Sequence, residues 1–392
     1  MSSARDSRPL TIALGYQPPF GWDELLGFLA GRAIPGVEAV EDGKYLRTFN
    51  LLGTDGSYHQ GWLIVANQPE ADALLASVIF AQPGTQPGAQ PDAQPGTQPG
   101  THQSAHSGTD DGLVAEISTR LRHLFDLDCQ PGRVSETLLS MNALDPQFFQ
   151  PGVRLPGCFD AFEMTVRAVL GQQVTVKAAR TLAKRLAAAF GSALAAPPAT
   201  LGHTSTTGAG TPAQPAPTTA DAAPETAPVE APSEPPLLLA FPPPERIVAL
   251  GDAAAVADQL GPLGVTSQRS RAILSLAQSF VDGSIDYRPG ADAKLETEKL
   301  VALPGIGPWT AQYIAMRALA CPDIFLHTDF GVKKALAGYS PAEALKLAEP
   351  WRPWRSYATI SLWNWLGRPP AASARQQQKA GRTAPPSRLQ VP

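Results

Sequence analysis

The residues best suited to chemistry lie in one stretch, Leu303-Pro304-Gly305-Ile306-Gly307-Pro308-Trp309-Thr310-Ala311. Glycines at two alternate positions let a backbone turn tightly and expose its N–H groups. Pro308 suits the first turn of a following helix, and free N–H groups at a helix start bind phosphate without reading base sequence. Ile306, between the glycines, is expected to anchor the turn in a core. Trp309 and Tyr313 are four apart and share one helical face. Aromatic faces stack on flat rings and attract cations. Each feature alone has an ordinary alternative. Aromatics at helical spacing usually pack in a core, and a Gly-x-Gly is equally a tight turn between helices. No Gly-Lys-Ser/Thr follows, so the stretch is not a P-loop. Helix rather than strand precedes it, so it is not a dinucleotide fingerprint either.

These residues need a helical frame, and the chain supplies one. The helical pattern runs from about Glu245 to Gly367, and earlier helices are expected from Leu113, at Arg133–Met141, Ala161–Leu170 and about Val174–Phe190, the last stopped by Gly191. The N-terminal part is different. Leu10–Leu14, Lys44–Leu52 and Tyr58–Ala66 read as strands, the last two joined by a turn at Asp55-Gly56. Trp22–Arg32 has helical spacing. Two tracts are rich in proline; the first, a Gln-Pro-Gly repeat with no large apolar residue, cannot bury a core, and the second is rich in Pro, Ala and Thr. The expected organisation is α+β: a small α/β-sheet domain over 8–127 with a disordered insert at 81–111, then an all-α domain over 128–368 with a second insert at 192–240, and a disordered tail at 369–392.

Composition narrows the classes. The 392 residues are enough for two or three domains. The opening MSSARDSRPLTIAL has no long apolar run and no stretch would span a bilayer, so an intracellular, cytoplasmic and nucleoid-associated monomer is expected. Three scattered cysteines, Cys129, Cys158 and Cys321, suit neither a disulfide framework nor a four-cysteine metal or iron–sulfur site. A net charge of −4 does not advertise nucleic-acid binding, but local charge matters more than the total. Lys177, Arg180, Lys184 and Arg185 recur at helical spacing, Arg352, Arg355 and Arg368 cluster near the end, and Lys333 and Lys334 are adjacent. All are equally readable as solvated faces. Gln268–Arg271 would start a helix and offers a further phosphate contact.

The stretch at 303–311 resembles the hairpin of the helix-hairpin-helix DNA glycosylase superfamily. That family places an essential aspartate about twenty residues after the hairpin, and Ile324-Phe325-Leu326-His327-Thr328-Asp329-Phe330 supplies Asp329 there. Further segments resemble the AlkA group, the 3-methyladenine DNA glycosylase II type. They are Tyr16-Gln17-Pro18-Pro19-Phe20, Leu124-Phe125-Asp126-Leu127, Leu155-Pro156-Gly157-Cys158-Phe159-Asp160-Ala161-Phe162-Glu163, Leu170-Gly171-Gln172-Gln173-Val174 and Trp351-Arg352-Pro353-Trp354-Arg355-Ser356-Tyr357-Ala358. The lyase branch has a Schiff-base lysine where this chain has Trp309, which favours a monofunctional hydrolase.

The resemblance implies an enzyme that flips alkylated bases of the 3-methyladenine and 7-methylguanine kind out of double-stranded DNA and hydrolyses their N-glycosidic bonds. Asp329 is then the catalytic residue. Trp309, Tyr313, Trp363 and Asn364 are the pocket, with Asn364 standing where well-known members have an aromatic. Gln173 takes the wedge position, often Leu, and Gly305, Ile306, Gly307 and Thr310 contact DNA. The chemistry requires no cofactor, although a monovalent cation (Na+ or K+) is expected on hairpin carbonyls at Val301, Leu303 and Ile306. Trp351, Trp354 and His327 read as packing or locally satisfied groups. Two other readings stay open: a non-catalytic DNA-binding module, and a glycosylase for deaminated or other damaged bases.

Overall fold

The computed structural model describes residues 9–81, 106–194 and 237–368. Its first part is a five-stranded antiparallel sheet of order β1-β5-β4-β3-β2, built from β1 (Leu10–Gly15), β2 (Glu38–Glu41), β3 (Lys44–Leu52), β4 (Tyr58–Gln68) and β5 (Ala73–Phe80). Helix α1 (Trp22–Ala30) lies between β1 and β2. Helical structure follows as α2 (His106–Phe125), α3 (Pro131–Leu138), α4 (Ala161–Leu170) and α5 (Val176–Phe190). A short pair, β6 (Ser192–Ala193) and β7 (Leu239–Ala240), precedes α6 (Pro244–Val248), α7 (Ala253–Leu260) and α8 (Ser267–Val281). The chain ends in α9 (Ala293–Ala302), α10 (Pro308–Arg317), α11 (Phe330–Ala335), α12 (Pro341–Leu347) and α13 (Arg355–Gly367). The α+β reading therefore holds: a sheet first, helices after it.

Local chemistry explains most boundaries. Asp160, Thr175, Thr266 and Asp292 accept hydrogen bonds from first-turn amides of α4, α5, α8 and α9, and Ser340 forms a capping box with Glu343 at α12. Strand β3 is buried on both faces, so its apolar content does not alternate; β2 and β5 add to the strands that the sequence pattern named. Tyr45, Phe49 and Leu51 face α2 and the C-terminal helices, while Leu46 packs with Trp62 and Ile79 beneath β6 and β7.

The expected disordered segments need correction at their edges. Residues 106–111 belong to α2, and 192–193 pair with 239–240 in β6 and β7. Leu239 closes on the sheet as its amide donates to the Gly36 carbonyl at 2.9 Å, and the Leu239 carbonyl accepts from Thr48 at 2.6 Å. The rest of the two tracts and the tail 369–392 lie outside the described residues.

Two apolar cores matter for the site. One joins the sheet and α1 to α2, α3, α11 and α13. The other joins α4, α5, α8 and α10. A buried polar bridge ties sheet to helices across them: Arg47 reaches Glu163 at 2.8 Å, and Arg167 reaches Glu38 at 2.8 Å. Tyr313 packs against both cores and so marks the seam where they meet. No helix among the described residues is long and apolar enough to cross a membrane.

Candidate active site

A cleft of about 1340 Å³ opens on that seam, lined by Trp309, Tyr313, Trp363, Asp329, Arg32 and Gln173 among others. Asp329 is half-buried and caps α11. Its Oδ1 accepts from the Gly331 amide at 2.7 Å, the Val332 amide at 3.1 Å and Trp363 Nε1 at 2.9 Å. Among the described residues no donor reaches Oδ2. One oxygen is thus used to fix the carboxylate. Gly331 permits this geometry, since a Cβ there would lie 2.8 Å from Trp363 Cδ1.

Trp309 and Tyr313 share a face as their four-residue spacing implies, and Trp363, named only through the family resemblance, lies beside them. Trp309 and Tyr313 stack at 5.3 Å and 8°, and Tyr313 meets Trp363 at 6.2 Å and 56°. Arg317 Nη1 donates to Tyr313 Oη at 2.9 Å. Burial raises the Tyr313 phenol pKa, but Arg317, Arg32 and Arg167 together outweigh it, leaving the group below its ordinary value.

Asn364 does not join this wall. It sits on the far side of α13, donating to Glu24 Oε2 at 3.4 Å, because successive helical residues point about 100° apart. The position beside Trp363 is instead taken by Phe28 of α1, stacked on the indole at 6.2 Å and 17°. Nothing in the spacing of the C-terminal helices announced a contribution from α1.

The hairpin is partly as read. Ile306 is buried and its amide points inward, donating to the Leu303 carbonyl at 3.2 Å. It therefore holds the turn rather than offering an N–H to DNA. Only Gly305 uses the left-handed region, with φ +79°; Gly307 is extended and has open space around it. Thr310 is buried too, and its hydroxyl accepts from Gln172 Nε2 at 3.1 Å, so its side chain is not a DNA contact. Gly307 provides no side-chain cap, which leaves the first amides of α10 without one. Val301 lies in the last turn of α9.

Gln173 stands exposed at the tip of the α4–α5 turn with φ +53°, between the half-buried Gln172 and the exposed Val174. Gln172, whose role the sequence reading missed, latches this tip to the hairpin through Gly305 O at 3.0 Å as well as Thr310. Arg269 donates to the Gln172 carbonyl from the start of α8, so this basic residue braces the tip. Of the other basic residues, Arg352 and Arg355 pair with Asp323 at 2.6 Å each, and Arg368 pairs with Glu24. They are structural ion pairs, while Lys177, Lys184, Lys333 and Lys334 are exposed. Trp351 is buried in an edge contact with Phe325, and His327 Nδ1 lies 3.4 Å from its neighbouring Phe325 carbonyl.

Comparisons with known proteins identify the family and the fold. The model of the AlkA N-terminal domain matches residues 11–86 and 103–160. DNA-3-methyladenine glycosylase 2 of Escherichia coli (strain K12) is 31% identical over 350 residues, covering 89% of this chain and 95% of that protein. A DNA-3-methyladenine glycosylase of Bacillus subtilis (strain 168) is 27% identical over 265 residues, 64% of this chain and 72% of that one. Among solved structures, the 3-methyladenine DNA-glycosylase from Archaeoglobus fulgidus has the same fold, with a TM-score of 0.57 at 16% identity over 91% of this chain and 97% of that one. With nearly a third of its residues identical across almost the whole length of the E. coli protein, this chain belongs to the DNA-3-methyladenine glycosylase 2 family of DNA-repair enzymes.

Proposed function

We propose that this glycosylase is monofunctional, turns an alkylated base out of duplex DNA into the Trp309–Tyr313–Trp363 cleft, and hydrolyses its N-glycosidic bond beside Asp329. The carrying observation is the carboxylate with all three donors on Oδ1, at a cleft walled by aromatic rings. As the bond from the sugar to the base nitrogen breaks, its electron pair leaves with the base. A ring-methylated cationic purine departs neutral. The sugar gains oxocarbenium character, and an adjacent carboxylate stabilises that charge. Water then bonds to the sugar carbon, and its proton passes to Asp329 or to solvent.

Everting a nucleotide costs a few kcal/mol of stacking and pairing. The exposed Gln173 is suited to fill the space left in the duplex, and the uncapped first amides of α10 are suited to a phosphate. A monovalent cation on hairpin carbonyls fits these residues. Val301 is in the final turn of α9, where carbonyls lack helical partners, and the Leu303 oxygen keeps a lone pair beyond the one used by Ile306. Such a cation would neutralise charge between turn and phosphate. Ile306 would contribute by its carbonyl alone.

The hydrolase reading is supported by Trp309 at the position of the lyase amine. Purified protein is expected to release 3-methyladenine and 7-methylguanine from methylated duplex DNA, leave the abasic strand uncut, and form no borohydride-trapped adduct. A trapped adduct would overturn the monofunctional assignment, and no base release at all would overturn the substrate class.

A further inference from the structure

Arg32 follows α1 and lies half-buried in the same cleft as Asp329. Its guanidinium carbon sits 3.7 Å from the Phe28 ring centroid and 5.7 Å from that of Trp363. Arg317 approaches the same Phe28 ring at 4.9 Å. The Phe28 ring stacked on Trp363 is thus already facing two cations, both of which line the cleft. This changes what that end of the cleft offers. A cationic base entering there meets like charge, which weakens the attraction its aromatic walls supply.

The two guanidiniums differ in what they hold. Arg317 is engaged with the Pro156 and Gly157 carbonyls and with Tyr313. Arg32 is held more lightly: among the described residues its Nη1 donates to the Phe28 carbonyl at 3.2 Å and the Tyr313 hydroxyl is a second polar neighbour, in a five-donor group. Burial lowers its pKa and nearby Tyr313 opposes that. A planar donor fork held against an aromatic ring is matched by an acceptor in the plane of a heterocycle.

We infer that Arg32 is a specificity-determining residue that donates to a keto oxygen on the everted base, favouring keto bases such as 7-methylguanine and hypoxanthine over amino bases such as 3-methyladenine. This rests on the glycosylase reading above. The geometry behind it is the placement of Arg32 against Phe28 and Trp363 in the Asp329 cleft, on an element from the sheet-bearing half of the chain.

The test uses the whole protein and its Arg32→Gln variant. Both are given duplex DNA methylated to carry 7-methylguanine and 3-methyladenine together, and a second duplex with one hypoxanthine. The ratio of bases released from a single incubation does not depend on the fraction of protein that is folded. Expected for Arg32→Gln is a fall of about tenfold or more in the 7-methylguanine to 3-methyladenine ratio, the scale of losing a hydrogen bond to a charged donor. Hypoxanthine release falls in parallel, and 3-methyladenine release is held or raised. Arg32→Lys, which keeps charge without the fork, is expected to recover part of the ratio. An unchanged ratio in Arg32→Gln would overturn the inference, whether both rates fall together or neither moves. No release of any base by the unsubstituted protein would instead overturn the glycosylase reading and this inference with it.

Discussion

Replacing Asp329 with asparagine separates the structural task of this side chain from the catalytic one proposed for it. The carboxylate caps α11 through the Gly331 and Val332 amides and also holds the Trp363 indole, all by Oδ1. Asparagine is as good an N-cap as aspartate, and its amide oxygen can accept the same three donors. Folding should therefore survive, with the melting temperature within about 1 °C of the parent. Alanine loses the cap, about 1 kcal/mol, which lowers melting by about 2–4 °C for a chain on this scale. Catalysis responds to charge instead. A unit charge about 4 Å from an oxocarbenium centre in a half-buried site contributes about 4 kcal/mol, so Asp329→Asn should slow base release about a thousandfold. The assay is single-turnover release of 7-methylguanine, with melting followed in parallel. A rate for Asp329→Asn within threefold of the parent would refute the electrostatic argument. So would a variant whose lost activity is matched by lost folded protein.

Gly331→Ala places a methyl against the Trp363 indole, where the nearest ring atom would be only 2.8 Å away. We expect overpacking of about 1–3 kcal/mol, a changed tryptophan emission spectrum and base release reduced at least tenfold, with an unaltered spectrum and rate counting against the fit described. Gln172→Ala cuts the latch between the Gln173 tip and the hairpin; loss of two hydrogen bonds at about 1 kcal/mol each should lower melting by several degrees and weaken duplex binding severalfold, both measurable by thermal melts and fluorescence anisotropy. Burial pushes the Asp126 carboxyl up to about 6, although the Leu155 amide and Tyr357 hydroxyl both donate to it. Since its folded pKa lies above the unfolded value, its favourable contribution is complete below about pH 4 and is lost as pH rises through about 6. Asp126→Asn keeps both acceptor contacts and tolerates the left-handed backbone (φ +52°), so it should flatten the fall in stability between pH 4 and 6 seen in urea titrations, by at most about 3 kcal/mol.

The sequence by itself determined the helix period, the caps, the hairpin with Gly305 and Ile306, and the stacked pair Trp309–Tyr313. These depend on interactions within one or two turns, where spacing and residue type are sufficient. It also carried the family motif that singled out Asp329. Tertiary structure alone decided what meets those residues. Arg32, just after α1, lines the cleft, and Phe28 of α1 stacks on Trp363 beside it, about 270 residues ahead of the hairpin in a chain of 392, because the sheet's apolar face and the C-terminal helices share one core. Asn364 turned away for a related reason: packing of Trp363 toward Asp329 fixes the rotation of α13 and commits its neighbour to Glu24. Arg352, Arg355 and Arg368 looked like a basic patch until their acidic partners were brought beside them. Periodicity records which face a residue occupies, but the partner opposite that face is set by how the whole chain buries its apolar surface.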